Sequence, residues 1–545
     1  MVRLRRSVLQ RWYSMICVVM LCGMSVSATA LAQAAAPEQQ GQHPLTVLTY
    51  HDIVADASED AYATSRATLV AHLDYLQTHG YQPISLELLE KVSAKQAQLP
   101  EHAVLLSFDD GLISYAQFVA PLLKIYGYPS VLSIVTSWVD GNNIPPEYSG
   151  KLLSWQELRL LQQSPLVSIV SHSHDLHHGV SSNPQGNEAA AGTTRIYSTN
   201  SKTYESEDQF RQRIAKDLQT TVQRFNQELH FTPTAITWPY GRYDAVTESE
   251  AARLGMKLQF TLDDGPTTTD SLPRVKRMIM TNLSVEHFAA ELHYQRVENF
   301  KNYFVEVRLD PFIGKTAEVQ EQLLSTLLDN LQRLNVNGVV IHAFDRNAKQ
   351  AFFPTKDVEL ATDSLNRVAH QIKTRLPVEK ILLALPAASK RVLSMATMTD
   401  LSRLVWFNGV VFDGQSDTEM KAIKDIARFY HPGVHFGQAT TLDTMASNAQ
   451  SGMDFQFVTI MANQGDAVTR QQLLASQSSS GRVLVSVEIA EQNATDVAKI
   501  FNMLESSGVR HYGFAYSEQL YGIKHQSTMT HERAEDALAV FGGLL

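Results

Sequence analysis

From residue 44 onward the chain alternates short β-rich apolar runs with stretches of helical periodicity, and that alternation restricts it to βα units built on parallel sheets. In the first half the strand-like runs are Leu45-Thr-Val-Leu-Thr-Tyr50, Ala103-Val-Leu-Leu-Ser-Phe108, Ser130-Val-Leu-Ser-Ile-Val135, Val167-Ser-Ile-Val170, Ala235-Ile-Thr-Trp238 and Leu258-Gln-Phe-Thr-Leu262. The second half offers Tyr303-Phe-Val-Glu-Val-Arg308, Gly338-Val-Val-Ile341, Lys380-Ile-Leu-Leu-Ala384, Gly409-Val-Val-Phe412, Val434-His-Phe436, Phe455-Gln-Phe-Val-Thr-Ile460, Val483-Leu-Val-Ser-Val487 and His511-Tyr-Gly-Phe514. Eight such runs with helical spacers predict an eight-stranded βα barrel over residues 302–545. The 545 residues have room for two barrels of about 250 residues each, with a boundary expected in residues 295–302, where the pattern pauses.

Polar residues end several of the first-half strands: Tyr50-His51, Asp109-Asp110, His172 and Pro239-Tyr240. Barrel chemistry is built at that end of the strands. Residues 181–203, rich in Ser, Asn, Gly, Ala and Thr and without periodicity, read as a long loop, a flap beside the site.

The N-terminus is of another kind. Arg3, Arg5, Arg6 and Arg11 precede an apolar run from Met15 to Ser27, then small residues ending Ala30-Leu31-Ala32. Basic, apolar, small is the order of a secretory signal over residues 1–32, with cleavage expected after Ala32. The run is too short for a membrane span of about 20 residues, so no span is expected after cleavage. Cys17 and Cys22 leave with the signal, so the exported chain carries no disulfide, thiol nucleophile or thiolate metal site. Lys and Arg number 46 against 56 Asp and Glu, a net charge of −10. Loss of the four signal arginines makes the chain more acidic still. Such a balance excludes nucleic acid as a natural partner and suits a neutral or cationic one.

Three clusters carry candidate chemistry. Ser107-Phe-Asp-Asp-Gly111 ends an apolar strand, and adjacent carboxylates on extended backbone point in different directions, so one can ligate a metal while the other serves as a base. Taken alone, a strand ending in an Asp-Asp-Gly turn is common. Ser171-His-Ser-His-Asp-Leu-His-His178 places four imidazoles within seven residues. Imidazole and carboxylate suit zinc-like ions, and a catalytic site uses three protein ligands plus water. His172 and His177, five apart, would not share a helix face, but a loop can converge them. His174 and His178 read as solvent-facing or outer residues. Trp238-Pro-Tyr-Gly241 is a tight turn exposing backbone N–H groups suited to an oxyanion, although such turns are common too.

Together, Ser107-Phe-Asp-Asp-Gly111, His172-Ser-x-x-x-His177 and Trp238-Pro-Tyr-Gly241 resemble the first three motifs of the polysaccharide deacetylases (carbohydrate esterase family 4). The finer resemblance is to the poly-β-1,6-N-acetyl-D-glucosamine N-deacetylases of biofilm-forming bacteria, the PgaB/IcaB type. It rests on Leu48-Thr-Tyr-His-Asp52, Asp175-Leu-His-His-Gly179, Phe210-Arg-Gln-Arg-Ile-Ala-Lys-Asp-Leu218 and Leu272-Pro-Arg274, and it weakens beyond residue 295. It implies an α/β protein with a distorted (β/α) deacetylase barrel over residues 44–297, followed by a (β/α)8-like domain over 302–545. It also implies Asp109 as general base, His51 as general acid, Asp110, His172 and His177 as ligands of one divalent ion (Zn, Ni, Co or Fe), and the backbone of Tyr240 at the oxyanion. Asp263 or Asp264 could orient a catalytic group or simply leave the strand.

The second domain departs from the family. Phe407-Asn-Gly-Val-Val-Phe412 is followed by Asp413-Gly-Gln-Ser-Asp417 rather than a His-Asp-Asp run, and Phe344-Asp-Arg-Asn347 replaces an acidic Gly-rich loop. A glycosidase needs two placed carboxyls, so glycan binding is expected rather than robust hydrolysis, with Asp310, Asp345 or Asp413 attracting glucosamine ammonium groups. The resemblance therefore implies a periplasmic N-deacetylase acting on an N-acetylglucosamine polymer, with outer-membrane export machinery as a further partner. The alternatives are a peptidoglycan or chitooligosaccharide deacetylase and a non-catalytic glycan-binding export factor.

Overall fold

The computed structural model describes residues 44–522, apart from 58–61, 294–301, 443–452, 462–468, 472–481, 489–493 and 516–517. The expected signal segment and most of the 295–302 boundary lie outside the described residues. No helix among those described is long and apolar enough to cross a membrane.

The first half builds a parallel sheet from β1 (Thr46–Tyr50), β2 (Ala103–Phe108), β3 (Ser130–Ile134), β4 (Val167–Ser171), β5 (Ala235–Thr237), β6 (Leu258–Thr261), β7 (Arg274–Lys276) and β8 (Met278–Ile279). Their spatial order is β7-β6-β5-β4-β3-β2-β1-β8. The two ends of that path are consecutive in the chain, separated by Arg277 alone. One bent stretch thus pairs with β6 through its first half and with β1 through its second, bringing the sheet to near closure. β1, β2 and β3 are buried along their whole length, and burying one Val, Leu or Phe fully is worth about 1.5–3 kcal/mol.

Outside this barrel lies the helix α1 (Glu207–Leu229), opened by a Ser206/Gln209 capping box. It buries Phe210, Ile214, Leu218, Thr221, Phe225 and Leu229, recurring every three or four residues as one face requires. Between β4 and α1, residues 181–203 are not the aperiodic flap that composition suggests. They form part of two antiparallel hairpins, Gly179–Ser181 with Glu188–Ala190 and Tyr197–Ser198 with Thr203–Tyr204. Strands of two or three residues are too short for alternation to be visible in sequence.

The second half is a closed parallel barrel in chain order: β9 (Asn302–Val307), β10 (Gly338–His342), β11 (Lys380–Ala384), β12 (Gly409–Phe412), β13 (His435–Thr440), β14 (Phe455–Met461), β15 (Arg482–Glu488) and β16 (His511–Phe514). Phe304, Val340, Leu382, Ala384, Val411, Phe455 and Phe457 form one cluster drawn from alternate positions of these strands, as interior packing of a barrel requires. Two outer helices matter for the site: α2 (Leu365–Arg375) and α3 (Asp417–Tyr430).

Candidate active site

Strand ladders fix most of the site. The Asp109 N–H donates to the Tyr50 carbonyl at 3.0 Å, the His172 N–H to Ile134 at 2.8 Å and the Trp238 N–H to Phe260 at 3.0 Å. Just past these strand ends the backbone turns left-handed at three non-glycine residues, Asp110 (φ 72°), Ser173 (φ 71°) and Tyr240 (φ 57°). Each such residue costs of order 1 kcal/mol or more, and strain of this kind concentrates at functional sites.

The turn at Asp110 swings its carboxylate toward the histidines. Its Oδ1 lies 3.5 Å from His172 Nε2 and 3.4 Å from His177 Nε2, and one ligand atom from each of the three residues falls within 4.8 Å of the others. The Tyr148 hydroxyl donates to Asp110 Oδ2 at 3.1 Å, while the buried Oδ1 has no hydrogen-bond partner. His172 Nδ1 is 2.7 Å from the Thr237 carbonyl. A carbonyl only accepts, so Nδ1 carries the proton and the Nε2 lone pair faces Asp110. Burial brings the His172 ring down to about 4, against the pull of Asp109, so the ring is neutral at ordinary pH. One orphaned carboxylate oxygen and two imidazole nitrogens converging at this spacing are the donor set of a three-ligand divalent site with an open position. The residues fit such an ion.

Asp109 is engaged differently. One Nη of Arg277 lies 2.9 and 2.8 Å from its two oxygens. Burial alone would raise the carboxyl, but Arg277, with His172 and His51, holds it well below the usual carboxylate range. His51 follows β1, and its Nδ1 is buried without a hydrogen-bond partner. The Tyr240 ring is half exposed and sits 4.5 Å from the His177 ring, with Trp138 4.8 Å away on that same ring.

The sequence reading singled out Asp109, Asp110, His51, His172, His177 and Tyr240, and these residues gather at one end of the first barrel. His174 bonds Thr136 Oγ1 at 2.9 Å, His178 is exposed, and neither joins the metal-competent group among the described residues. Asp263, considered as an orienting group, instead accepts from the Tyr243 hydroxyl at 2.6 Å, and the Asp264 carbonyl accepts from Lys276. It is Arg277 that grips Asp109. Arg277, Tyr148 and Asp217 were missed. Asp217 accepts from the His174 and Asp175 backbone N–H groups at 3.0 and 2.7 Å, pinning the loop before His177, and burial pushes its carboxyl up to about 7. Its only sequence signal was its place in the Phe210–Leu218 segment; Arg277 had none beyond lying three residues after Arg274.

In the second barrel, Asp345 accepts from the backbone N–H groups of Asn347, Lys349 and Gln350, so its carboxylate organises its own loop. Asp310 accepts from the Arg346 N–H. A charged group near the end of β9 that sequence reading did not find is Glu306, 2.9 Å from His342 Nε2 and bonded to the Ser486 hydroxyl.

The polysaccharide deacetylase family matches residues 96–259, and the family described as hypothetical glycosyl hydrolase family 13 matches residues 306–394. The chain is 27% identical over 347 residues to the poly-β-1,6-N-acetyl-D-glucosamine N-deacetylase of Escherichia coli (strain K12), covering 60% of this chain and 51% of that protein. It is 22% identical over 227 residues to the enzyme of the same name from Staphylococcus aureus (strain MSSA476), covering 42% of this chain and 70% of that one. The chain thus spans about half the length of the Escherichia coli relative. Among solved structures, the de-N-acetylase from Aggregatibacter actinomycetemcomitans is 28% identical with a TM-score of 0.43, covering 46% of this chain and 99% of that one. The deacetylase domain of BpsB from Bordetella bronchiseptica is 32% identical with a TM-score of 0.39, covering 44% and 97%. Residues 96–259 carry a polysaccharide deacetylase domain, homologous to the poly-β-1,6-N-acetyl-D-glucosamine N-deacetylases.

Proposed function

We propose that the chain is a metal-dependent hydrolase that removes N-acetyl groups from an exported poly-β-1,6-N-acetyl-D-glucosamine. The observation that carries this reading is the orphaned Asp110 Oδ1 facing two imidazole Nε2 atoms beside an ionised, buried Asp109. Asp110, His172 and His177 would hold one divalent ion, whose chemistry there is to acidify water and polarise the acetamide carbonyl. Asp109 accepts the proton released as water attacks, and Arg277 keeps its carboxylate charged and aimed. The backbone at Tyr240 steadies the charge developing on the carbonyl oxygen. His51 donates a proton to the departing amine, a poor leaving group without it.

In this reading residues 1–32 are a cleaved signal that delivers the protein to the periplasm, residues 44–297 deacetylate, and residues 302–545 bind the partly deacetylated polymer. Glu306, whose carboxyl His342 and Ser486 hold low against the effect of burial, places a buried negative charge near the end of β9, of the sign that glucosamine ammonium groups call for. Export machinery at the outer membrane is the corresponding protein partner.

Acetate release from defined β-1,6 and β-1,4 N-acetylglucosamine oligomers, before and after chelation and metal restoration, tests the proposal. Release from β-1,6 oligomers, abolished by chelation and by Asp110→Asn, supports it. Preference for β-1,4 oligomers reassigns the substrate to peptidoglycan or chitin fragments. Polymer binding with no release from either leaves a glycan-binding export factor.

A further inference from the structure

His177 is the ligand with the least local support. Asp110 and His172 directly follow strands, whereas His177 lies on the irregular segment between β4 and the Gly179–Ser181 hairpin. Asp217 of α1 pins the segment from within the first barrel, and a second set of contacts reaches it from the second barrel. Leu176, next to His177, is buried in a cluster with Trp238 and Tyr243, which bracket Tyr240, and Phe429 of α3 packs against the same cluster. The tip of the hairpin that runs on from His177 is bonded to α2 and its approach: Asn183 Nδ2 to Asn366 Oδ1 at 2.7 Å, Gln185 Nε2 to the Asp363 carbonyl at 2.9 Å, and Arg367 Nη1 to Asn187 Oδ1 at 3.0 Å.

Tyr240 is held in the same way. Two residues on, the Arg242 guanidinium lies 4.6 Å from the ring centre of Trp406, and Lys373 Nζ lies 5.2 Å from that same ring. Asn366 also donates to the Leu404 carbonyl, tying α2 to the segment that carries Trp406. Asp263, bonded to Tyr243, sits so close under Gly433 that a Cβ there would fall 2.6 Å from its Oδ1.

We propose that the second barrel is a working part of the deacetylase centre, with Trp406 and the Asn366–Arg367 pair as positioning residues that hold the segments bearing His177 and Tyr240 in register with Asp110. The physical ground is tolerance: a ligand set or an oxyanion donor displaced by about half an ångström loses much of its effect, and outer residues that orient metal ligands are worth about 10–100-fold in affinity or activity. Polar contacts and a cation over an aromatic ring fix direction as well as proximity, which apolar packing alone does not.

The catalytic half of the test rests on the deacetylase reading; the metal-binding half does not. In the full chain, Co²⁺ affinity is measured by titration of its visible absorption, and kcat and KM for acetate release below the unfolding transition, for Trp406→Ala, Trp406→Phe, the double variant Asn366→Ala/Arg367→Ala, and Val458→Ala as a core change on β14, a strand that carries none of these contacts. The expectation is that Trp406→Ala and the double variant weaken Co²⁺ binding about tenfold or more and lower kcat more than they raise KM. Trp406→Phe recovers most of both, and Val458→Ala lowers the melting temperature while leaving Co²⁺ affinity near wild type. Folded Trp406→Ala and double variants with wild-type Co²⁺ affinity and kcat overturn the proposal, as does a Val458→Ala that weakens Co²⁺ as much as they do. If Trp406→Ala does not fold, the double variant decides alone. A wild-type chain that binds Co²⁺ but releases no acetate refutes the deacetylase reading and leaves the Co²⁺ comparison standing.

Discussion

A single guanidinium nitrogen of Arg277 touches both carboxylate oxygens of Asp109, at 2.9 and 2.8 Å, across 168 residues of sequence. Arg277 occupies the point where the closing strand changes partners from β6 to β1, so the bend that brings the sheet to near closure also carries the counter-ion of Asp109. Both side chains are almost wholly buried, at 2% and 3% exposed.

Arg277→Gln leaves that carboxylate buried without its cation. The expected outcome is a loss of about 3–5 kcal/mol of stability at neutral pH and a rise in the Asp109 pKa, which moves the acid limb of the kcat/KM profile upward by about one pH unit or more. Because the folded pKa is depressed, the stabilisation from the pair is present above the unfolded value of about 3.9 and is lost as pH falls below it. Denaturant unfolding at pH 7 and a pH–rate profile check both, and an unmoved acid limb would separate Asp109 from proton transfer.

His51 is expected to act in chemistry and not in metal holding, since it is absent from the Asp110–His172–His177 group while its buried Nδ1 has no partner. His51→Ala should lower kcat by about 10²–10⁴-fold with Zn²⁺ or Co²⁺ affinity within about twofold of wild type. Isothermal titration alongside acetate release reads the two effects separately, and a parallel loss of affinity would make His51 part of the ion site.

His431, in the second barrel, supplies a pH signature of its own. Its ring is 4.3 Å from Phe407, and Nε2 donates to the Ser402 carbonyl at 2.8 Å. Burial pulls it down to about 3, Arg242 acting in the same direction and the carbonyls of Ser402 and Val405 opposing. Between about 3 and the unfolded value of about 6.5 the unfolded chain binds a proton that the folded chain does not, so this residue makes stability rise with pH across that window, by at most about 1.4 kcal/mol per unit. His431→Phe should cost about 1 kcal/mol at pH 7 for the lost hydrogen bond yet flatten the decline from pH 6.5 to 5. Urea midpoints at those pH values test it, and an unchanged decline would assign the acid sensitivity elsewhere.

How much of this was legible in sequence follows from the range of each interaction. The fourteen strand-like runs stand out because a parallel strand buried on both faces must be apolar throughout, a condition met residue by residue. Asp110, His172, His177 and Asp109 were legible because ligand and base chemistry restricts residue type, and Asp109, Asp110 and His172 sit just past strands. The closing strand 274–279 was not, since its two short halves carry no pattern and are defined only by the strands they meet. Arg277 and Tyr148 were invisible for the same reason: an arginine or a tyrosine in a loop looks solvated until folding brings a buried carboxylate to it. Residues 181–203 read as a long loop because what orders them is distant in sequence: Arg195 on Asp244, Arg213 on the Ala191 and Thr194 carbonyls, and Asn183 on Asn366.

The sequence by itself determined the two series of βα units and the kinds of atoms offered at the strand ends, because backbone hydrogen bonding and burial act over a few residues. Tertiary structure alone decided which atoms meet: that Asp110 Oδ1 is left without a partner between two imidazoles, that Asp109 is charged, and that Trp406 lies against the turn after Tyr240. Those are outcomes of distance and dielectric between segments tens to hundreds of residues apart, and no local pattern encodes a separation in space.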